Sequence, residues 1–307
     1  MSMTNDAVAP NPVDAVVIGG SYAGMSAALQ LARACRSVVI IDHGLPRNRT
    51  ASRAHGCLGW DGCAPADLLT TARRQLQAYS HVRWIAAEAV GAQRSARTGF
   101  KVTCASGRTV SAHRLVLAHG VADQLPEVPG LEERWGKSVL HCPYCHGYEV
   151  CGGSLGLLVA ADDDALAHAK ALQQWGKIMI FHRGDRTEQA LNALENQLNG
   201  IDAALERTPL VGVSEEATAD LADGRRLELR ALFLHPETKL CSPIAHQLGC
   251  ETESVGCIST DSAKQTTVEG VFACGDAARF AGNIALAIGE GALAGVAVHR
   301  SLLGLLD

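Results

Sequence analysis

The pattern of apolar and polar positions near the start of the chain predicts a strand, a helix and a second strand. Val13 to Ile18 is a short apolar run that meets a glycine and serine turn. Ala23 to Ala34 then has helical composition, and Ser37 to Ile41 is again β-branched and apolar. Short apolar runs bounded by turn residues are typical of buried strands. This region is therefore predicted to form a βαβ unit.

A second βαβ unit is predicted in the middle of the chain. Leu155 to Val159 and Ile178 to Phe181 have strand character, and Asp163 to Trp175 between them has helical composition. Before this unit, Gln124 to Gly136 carries two prolines and two glycines, which is typical of a linker. The pattern therefore indicates two domains.

The remaining predicted elements lie on either side of the second unit. A helix is predicted to begin at Pro65, and strands are predicted near Lys101 to Cys104 and Arg114 to Leu117. Val271 to Ala273 and the helical stretch Asn283 to Leu303 come last. These two segments do not start a third βαβ unit, so we expect them to complete the first domain.

Length and composition narrow the class of protein. A chain of 307 residues with 47% hydrophobic residues has enough apolar side chains for well-formed cores, which excludes a disordered chain. The net charge is -5 without a basic stripe, so we expect neither nucleic acid nor a membrane as a partner. Met1 to Val13 lacks the pattern of a signal peptide, and we expect a cytoplasmic protein. Most of its 11 cysteines are then expected to be reduced.

The turn after the first strand has the composition of a phosphate-binding site. Gly19 to Gly24 has the sequence Gly-Gly-Ser-Tyr-Ala-Gly and leads into a helix, whose free amides and dipole favour a pyrophosphate. Ser21 stands where the usual pattern has its middle glycine. Asp42, at the end of the next strand, stands where an acid accepts hydrogen bonds from an adenosine ribose. A glycine turn used only for packing is the alternative.

A pair of closely spaced cysteines is the most informative feature of the sequence. Two residues separate Cys142 from Cys145, which puts their sulfurs within bonding distance of each other. His141 and His146 flank the pair, and a histidine can accept or return a proton while a thiolate attacks a disulfide. The pattern favours a redox-active disulfide.

Three other interpretations of this pair stay open. Half of a zinc site would need a second well-spaced pair, although Cys151 is close. The segment from Cys142 to His146 also matches the C-x-x-C-H pattern of c-type haem attachment. Two buried core cysteines are the third interpretation. Elsewhere, Cys57 and Cys63 lie in a polar loop and are interpreted as plain loop or cofactor-facing residues.

The order of three motifs connects the whole chain with a known family. With Gly19 to Gly24, Cys142 to Cys145 and Gly270 to Asp276 in this order, the chain resembles the low-molecular-weight thioredoxin reductases. The resemblance implies an α/β fold with two Rossmann-like dinucleotide-binding domains of the thioredoxin-reductase type, each with three ββα layers. It implies a discontinuous FAD-binding domain, residues 1–120 and 238–307, a central pyridine-nucleotide-type domain, residues 121–237, that carries the cysteine pair, and a homodimer.

The same resemblance implies which residues hold FAD. Asp276 matches the aspartate that binds the ribityl chain of the flavin, and His119 stands where the family has a threonine. The residues assigned to FAD through the resemblance are Gly19, Gly20, Ser21, Ala23, Gly24, Asp42, Arg47, Asn48, Gly120, Gly275, Asp276, Asn283 and Ile284.

The cysteine pair has a distinctive setting. His146 follows the second cysteine where the family has an aspartate, and the signature from His141 to Glu149 reads His-Cys-Pro-Tyr-Cys-His-Gly-Tyr-Glu. This signature resembles the FAD-dependent dithiol oxidases that close disulfides in gliotoxin-, holomycin- and romidepsin-type natural products. The resemblance implies a thiol-disulfide oxidoreductase that closes a disulfide in a small-molecule dithiol. Its catalytic residues would be Cys142, Cys145, His146 and His141, and dioxygen would be the electron acceptor.

The second nucleotide site is less similar to the family. After Leu155 to Val159 the chain has two alanines and then Asp162 to Asp164, whose carboxylates would repel a phosphate. His182, Arg183 and Arg186 are similar to the family's grip on the NADPH 2'-phosphate, but we interpret them as surface charges because the neighbouring glycines are missing. These features argue against NADP(H). An NADPH-dependent thioredoxin or disulfide reductase is the alternative function, and a flavin-binding redox sensor without turnover is a third.

Overall fold

The computed structural model describes residues 11–160 and 165–306. Its strands are β1 (Val13–Ile18), β2 (Val38–Asp42), β3 (Val82–Ala86), β4 (Ala89–Ser95), β5 (Gly99–Cys104), β6 (Thr109–Leu117), β7 (Val121–Gln124), β8 (Val139–Leu140), β9 (Gly153–Leu158), β10 (Gly176–Phe181), β11 (Ala203–Leu205), β12 (Leu210–Ser214), β13 (Thr218–Leu221), β14 (Arg226–Glu228), β15 (Ala231–Leu234), β16 (Glu237–Leu240) and β17 (Val271–Ala273). Its helices are α1 (Tyr22–Arg33), α2 (Pro65–Gln77), α3 (Leu131–Arg134), α4 (Pro143–His146), α5 (Ala165–Leu172), α6 (Glu188–Gln197), α7 (Ile244–Leu248) and α8 (Ile284–Leu302).

The described chain divides by its internal contacts into two units. Unit 1 comprises the described residues up to Arg49, then Ala66–Ala122, and the described residues from Thr238 onward. Unit 2 comprises Thr50–Pro65 and Asp123–Glu237. This grouping places the loop Thr50–Pro65 with unit 2, whereas the domains predicted from the sequence keep it with the first segment. The functional domain boundaries themselves stay a prediction.

Unit 1 is built on a sheet in which β6 pairs with three strands, β1, β17 and β5. The strands β3, β2, β1 and β6 run parallel in that order, and β17 pairs in parallel with the end of β6. The first half of β6 instead pairs antiparallel with β5, and β5 with β4. Parallel strands of this kind are joined by crossover helices and become buried on both faces.

The faces of β1 show how unit 1 is layered. Successive side chains of a strand point to opposite faces. Val16 belongs to the apolar cluster that includes Phe100 of the β4–β6 meander, and Val17 belongs to the cluster that includes Leu31 of α1 and Val298 of α8. The parallel sheet therefore lies between a β layer and a helical layer, which is a three-layer ββα arrangement.

The helices α1 and α8 pack very closely in unit 1. A side-chain carbon added at Gly291 would overlap the carbonyl oxygen of Ala23, and one added at Gly295 would overlap that of Ala27. Both glycines lie on α8 and face α1, so their missing side chains let the two backbones approach. The C-terminal helix is thereby part of the same layer as the N-terminal βαβ unit.

Unit 2 repeats the three-layer arrangement with different strands. Its parallel sheet has the order β11, β10, β9, β15 and β8, and β12, β13 and β14 form a separate antiparallel sheet. Leu157 belongs to the apolar cluster that includes Leu172 of α5 and Leu194 of α6. Leu158 belongs to the cluster that includes Leu210 and Ala219 of the antiparallel sheet. The predicted fold of two Rossmann-like ββα domains is confirmed.

The predicted elements agree with the structure except where local pattern is weak. The segment Gln124 to Gly136, predicted to be a linker, contains the short helix α3. The helix predicted from Asp163 to Trp175 is observed as α5, and Asp162 to Asp164 lie outside the described residues. Among the described residues, we find no helix with both the length and the apolar character that a bilayer crossing requires.

Candidate active site and cofactor-binding residues

The cysteine pair lies at the start of α4 in unit 2. Cys142 precedes the helix, Pro143 is its first residue and Cys145 lies within it. Proline is favoured at this first position because the amide hydrogen it lacks would have no helical partner. Cys142 and Cys145 form a disulfide, with an S–S distance of 2.07 Å and Cα atoms 5.3 Å apart. Their sulfurs are bonded to each other and are not zinc or haem ligands in this state, and neither residue is buried as a core pair would be.

His146 ends the helix that carries the disulfide. Its ring is partly buried, and its Nδ1 atom has no hydrogen-bond partner in the described part of the chain. Burial lowers the pKa of His146 below the ordinary value of 6.5, while the Cys142 backbone and the charge of Glu149 oppose this effect. His146 is therefore a neutral imidazole near pH 7, which is the form that can accept a proton from a thiol.

The loop Thr50–Pro65 brings a second histidine to this part of unit 2. His55 Nε2 lies 3.4 Å from Glu149 Oε1, and His55 Nδ1 lies 3.6 Å from Asp61 Oδ1. Asp61 accepts a hydrogen bond of 2.8 Å from the Gly56 amide, which fixes its carboxylate within the loop. Sequence analysis missed His55 because this polar loop has no periodicity that indicates where it folds.

Aromatic rings pack around the disulfide helix. The rings of Trp135 and His141 have centroids 5.8 Å apart, and Tyr144 meets Trp175 edge to face at 5.7 Å. A side-chain carbon added at Gly147 would lie 2.8 Å from the Trp175 ring, so only glycine fits there. Tyr144 is nevertheless 82% exposed. The packing thus holds α4 in place and leaves one aromatic ring at the surface next to the disulfide.

The cysteines of the Thr50–Pro65 loop do not form a disulfide. Burial raises the pKa of the Cys57 thiol, with the neighbouring Cys63 and Asp61 adding to the effect. A raised pKa keeps Cys57 in the unreactive thiol form at neutral pH. The backbone amide of Ala54 donates to the carbonyl of Cys63 at 2.8 Å, so both cysteines belong to a closed loop. No group of three or more side chains in residues 11–160 and 165–306 could hold a metal ion.

The glycine turn of unit 1 has the close backbone approach that a phosphate site needs. Gly19 has a φ of +101°, a conformation that favours glycine. A side-chain carbon added at Gly24 would overlap the carbonyl oxygen of Gly19, and one added at Gly20 would overlap the Trp84 ring. Ser21 begins α1 without using its side chain as a cap. The first amides of α1 are therefore reached over small side chains, as a pyrophosphate requires.

Asp42 lies beside this turn, at the end of β2. Its Oδ1 accepts a hydrogen bond of 2.9 Å from the Gly20 amide, and its Oδ2 lies 3.9 Å from Arg73 Nη2. The Arg73 guanidinium stacks over Trp84 at 4.0 Å from the ring centroid. The structure thus brings the predicted ribose-binding acid together with the predicted phosphate turn.

A third predicted group approaches the turn from the C-terminal part of unit 1. A side-chain carbon added at Gly275 would lie 2.8 Å from Cβ of Ala23. Asp276 Oδ2 forms an ion pair of 2.9 Å with Arg47 Nη1. The amide of Gly275 also donates to Glu290, a buried residue of α8 that sequence analysis missed. Glu290 is in turn paired with Lys264 and Arg279 at 2.7 Å each, so a buried charge network fixes this segment.

Two buried polar atoms in unit 1 fit the presence of a cofactor. Asn48 Oδ1 and His119 Nε2 have no hydrogen-bond partner among the described residues. Buried polar atoms are almost always satisfied, so orphaned ones indicate an absent partner. The Nδ2 of Asn48 donates to the Tyr22 hydroxyl at 3.0 Å, and His119 Nδ1 lies 3.1 Å from the Gly120 carbonyl oxygen. Together with the glycine turn, these residues fit FAD.

Gly120, Asn283 and Ile284 are the remaining residues that are predicted to bind FAD. Gly120 accepts a backbone hydrogen bond of 3.1 Å from Cys241, and its φ is +69°. Asn283 caps α8, since its Oδ1 accepts from the Leu286 amide at 2.8 Å. Ile284 is the first residue of that helix. The structure gives Asn283 a role as a helix cap, and its contact with FAD stays a prediction.

The basic residues of the second nucleotide region are engaged by their own chain. His182 is 2% exposed; its Nδ1 accepts from the Gly184 amide at 3.0 Å and its Nε2 lies 2.9 Å from the Arg207 carbonyl oxygen. Arg183 pairs with Asp185 at 3.1 Å, and Arg186 donates to the carbonyl of Ala160. His182 is therefore a buried structural residue, not the surface charge that the sequence indicated. Arg183 and Arg186 already have partners within unit 2.

Comparison with known proteins gives similarity over nearly the whole chain. The family described as pyridine nucleotide-disulphide oxidoreductase matches residues 13–298. "Thioredoxin reductase tcpT" of Claviceps purpurea (strain 20.1) is 32% identical over 315 residues, which cover 97% of this chain and 96% of that protein. The crystal structure of an oxidoreductase from Agrobacterium tumefaciens is 44% identical, with a TM-score of 0.88, over 95% of this chain and 99% of that one. The crystal structure of HlmI is 34% identical, with a TM-score of 0.85, over 98% of this chain and 96% of that one.

Proposed function

This chain belongs to the pyridine nucleotide-disulphide oxidoreductase family, and from that premise we propose that it is an FAD-dependent dithiol oxidase. Membership makes it an oxidoreductase enzyme of the thioredoxin-reductase type, a class of FAD flavoproteins. The proposed reaction closes a disulfide in a small-molecule dithiol and passes the electrons to dioxygen. The substrate class follows the resemblance of the signature His141 to Glu149 to the dithiol oxidases.

One observation carries the proposal: a disulfide between Cys142 and Cys145 with a neutral histidine at the end of the same helix. Thiol-disulfide exchange needs a thiolate, and a free alkyl thiol is mostly protonated at pH 7. A base that is uncharged at the ambient pH is suited to remove that proton. His146 meets this condition because burial lowers its pKa.

In the proposed steps, His146 carries the protons and the two cysteines accept the electrons. His146 takes the proton of the first substrate thiol, and the thiolate attacks Sγ of Cys142, so that Cys145 leaves as a thiolate. His146 releases the first proton to solvent and takes that of the second substrate thiol, whose thiolate attacks the substrate sulfur of the mixed disulfide and expels Cys142 as a thiolate. The substrate leaves as a disulfide, oxidised by two electrons, and Cys142 and Cys145 are left reduced. We assign the attacked sulfur to Cys142 through the family resemblance.

The residues of unit 1 would hold the cofactor. Bound FAD would supply the two-electron acceptor that returns the cysteines to the disulfide and passes the electrons to dioxygen, with hydrogen peroxide as product. The amides that follow Gly19 would bind its pyrophosphate, Asp42 its adenosine ribose, and Asp276 its ribityl chain. The unpartnered atoms of Asn48 and His119 would face its polar groups.

The preference for dioxygen over NADP(H) is supported by unit 2. Arg183 and Arg186 are paired with Asp185 and Ala160, so a 2'-phosphate would have to displace these contacts. The alternative is an NADPH-dependent disulfide reductase that runs the same exchange in reverse. It is favoured by the parallel arrangement of β9, β10 and β15, which is that of a dinucleotide-binding fold.

An anaerobic reduction experiment separates the two functions. The FAD-loaded enzyme is mixed with dithiothreitol and, separately, with NADPH, and the flavin absorbance is followed. We expect rapid bleaching by the dithiol, slow or no bleaching by NADPH, and oxygen consumption with peroxide release after air is admitted. Prompt bleaching by NADPH alone would instead support the reductase.

A matched pair of cysteine variants tests the route. Cys145→Ser is expected to abolish bleaching by dithiothreitol, since the exchange then has no disulfide to open. Cys151→Ser, which removes an exposed cysteine close to the pair in sequence, is expected to bleach like the wild type. Full flavin reduction in Cys145→Ser would contradict the proposed route.

We also propose a cytoplasmic homodimer. Leu286, Leu293 and Val296 on α8 are 41%, 55% and 48% exposed, and their spacing puts them on the helix face away from Gly291 and Gly295. An exposed apolar stripe of this kind supports association with a second copy. Buried thiols such as Cys104 and Cys274, which form no disulfide, support a reducing compartment. Leu293→Glu is expected to give a monomer in sedimentation analysis, and an unchanged dimer would argue against this face.

A further inference from the structure

Closing a disulfide requires the proton acceptor of unit 2 to take up protons more than once in each reaction. Two thiols lose two protons for each product disulfide, whereas one imidazole holds only one additional proton at a time. His146 must therefore return its proton as readily as it accepts it. A base does both efficiently only when its affinity for the proton matches the working pH.

The charged side chains that act on His146 come from two segments of unit 2. Glu149 lies in the turn that follows α4, three residues after His146. His55 lies in the loop Thr50–Pro65 and contacts Glu149 at 3.4 Å. The His55 side chain is 20% exposed and that of Glu149 is 42% exposed, so this contact is partly shielded from water. Partial burial makes such a pair act more strongly on a neighbouring titratable group.

Other titratable groups face His55 as well. Asp61 lies 3.6 Å from His55 Nδ1, on the side opposite Glu149. Cys57 and Cys63 belong to the same loop, and the raised pKa of the Cys57 thiol keeps that residue uncharged near pH 7. On the side of α4, the sulfurs of Cys142 and Cys145 are joined and carry no proton. Asp61 and Glu149 are thus the two carboxylates that contact His55.

We infer that His55 and Glu149 are a pair of positioning residues that adjusts the pH range in which His146 exchanges its proton. The inference rests on the proposed function for its role in turnover. The two residues act with opposite sign on one imidazole, and they contact each other at 3.4 Å. Neither is required to touch the substrate or the flavin.

The physical effects of the two residues can be separated. The negative charge of Glu149 stabilises the imidazolium and raises the pKa of His146, whereas a charged His55 destabilises it and lowers the pKa. Glu149→Gln should therefore move the titration of His146 to lower pH. His55→Gln should move it to higher pH. In the double variant the two shifts should largely cancel, because each removes one of two opposing charges.

The first test is the pH profile of flavin bleaching by dithiothreitol in the anaerobic holoenzyme. The acid limb is expected to move to higher pH in His55→Gln, to lower pH in Glu149→Gln, and to stay near the wild-type position in the double variant. His246→Gln and Glu133→Gln change exposed residues of α7 and α3 and are the matched controls, with unmoved limbs expected. A loss of rate at all pH values with unmoved limbs would indicate a purely structural role and would overturn the inference.

The second test does not depend on turnover. The His146 imidazole signal is titrated by NMR in the same oxidised holoenzymes and assigned by its disappearance in His146→Gln. Opposite shifts in the two single variants are expected, and shifts in the same direction or none would overturn the inference. If the wild type is not bleached by the dithiol at any pH while the NMR shifts are opposite, the proposed function fails and the electrostatic role of the pair stands.

Discussion

The segment after β1 and the segment after β9 follow the same architecture and differ in chemistry. Both follow a buried parallel strand of a ββα unit. After β1 the chain has glycines, amides reached over small side chains, and Asp42 hydrogen-bonded to Gly20. After β9 the sequence continues into three aspartates, and the basic residues beyond β10 are paired with their own chain.

We propose that this chain keeps a nucleotide-binding fold twice and a nucleotide-binding site once. The sheet and helices of unit 2 are maintained by apolar burial, which does not depend on the turn residues. The phosphate site depends on a few positions that burial leaves unconstrained. Those positions therefore decide whether the segment binds a nucleotide, and substitutions at them test the difference between the two units.

The largest expected effect comes from closing the turn of unit 1. Gly24→Val places carbon atoms where the Gly19 carbonyl oxygen lies, so the turn must open and the pyrophosphate site is lost. We expect the folded, purified variant to be colourless, with no flavin released on denaturation. Gly289→Ala is the control, because nothing lies within 4 Å of a side-chain carbon at that position of α8. A yellow Gly24→Val protein with a full complement of FAD would contradict the assignment.

A smaller effect is expected from the buried histidine next to the same site. Burial lowers the pKa of His119 to about 4, against 6.5 for a free imidazole, while its contact with Gly120 opposes the shift. Between these pH values the unfolded chain binds a proton at this histidine and the folded chain does not. The free energy of unfolding therefore falls as the pH drops from 6.5 to 4. The loss is on the order of 3 kcal/mol.

This pH dependence is measured by urea unfolding of the flavin-free protein across that range. His119→Gln should lose less stability on acidification than the wild type, since glutamine does not titrate. Parallel curves for the two proteins would show that His119 is protonated as easily in the folded state as in the unfolded one.

A third change makes the segment after β9 resemble the segment after β1 in charge. The triple variant Asp162→Asn, Asp163→Asn, Asp164→Asn removes three negative charges, each of which repels a nearby phosphate by about 1 kcal/mol even in water. We expect NADPH to bind at least about tenfold more tightly, as measured by calorimetry. Asp202→Asn, an exposed residue elsewhere in unit 2, should bind NADPH like the wild type. An unchanged affinity in the triple variant would remove charge repulsion from the explanation.

The smallest effects come from two helix caps, one in each unit. The side chain of Thr187 caps α6 by accepting from the Ala190 amide, and Asn283 caps α8 in the same way. Thr187→Ala and Asn283→Ala should each cost about 1 kcal/mol of unfolding free energy. Only Asn283→Ala is expected to weaken FAD binding, because Asn283 begins a helix of unit 1 whose next turns hold Gly275 through Glu290. Equal FAD affinity in both variants would confine Asn283 to its role as a cap.

Much of the fold could be predicted from the sequence because its signals are local. The strand Val13 to Ile18 and the helix after it are observed almost as the pattern indicates, since apolar runs and glycine turns act over a few residues. The spacing of Cys142 and Cys145 likewise predicts their disulfide. The short helix α3 within the expected linker had too few residues to show a period.

The candidate site was only partly predictable because several of its members meet through tertiary contacts. His55 and Glu149 are far apart in sequence, and only the folded loop brings them within 3.4 Å. Glu290 is a charged residue within an apolar stretch of α8, and its partners Lys264 and Arg279 lie in loops without a recognisable pattern. His182 has the sequence context of a surface charge, yet two backbone groups satisfy its ring in the interior.

The close packing of α1 against α8 has a consequence for how the protein is made. Unit 1 draws its first strand from one end of the chain and its last helix from the other, with Gly291 and Gly295 seated on a helix synthesised long before them. During translation, unit 2 has all of its residues outside the ribosome while unit 1 still lacks α8. The growing polypeptide should therefore acquire its flavin only after α8 has emerged, and truncation within this helix should yield apoprotein.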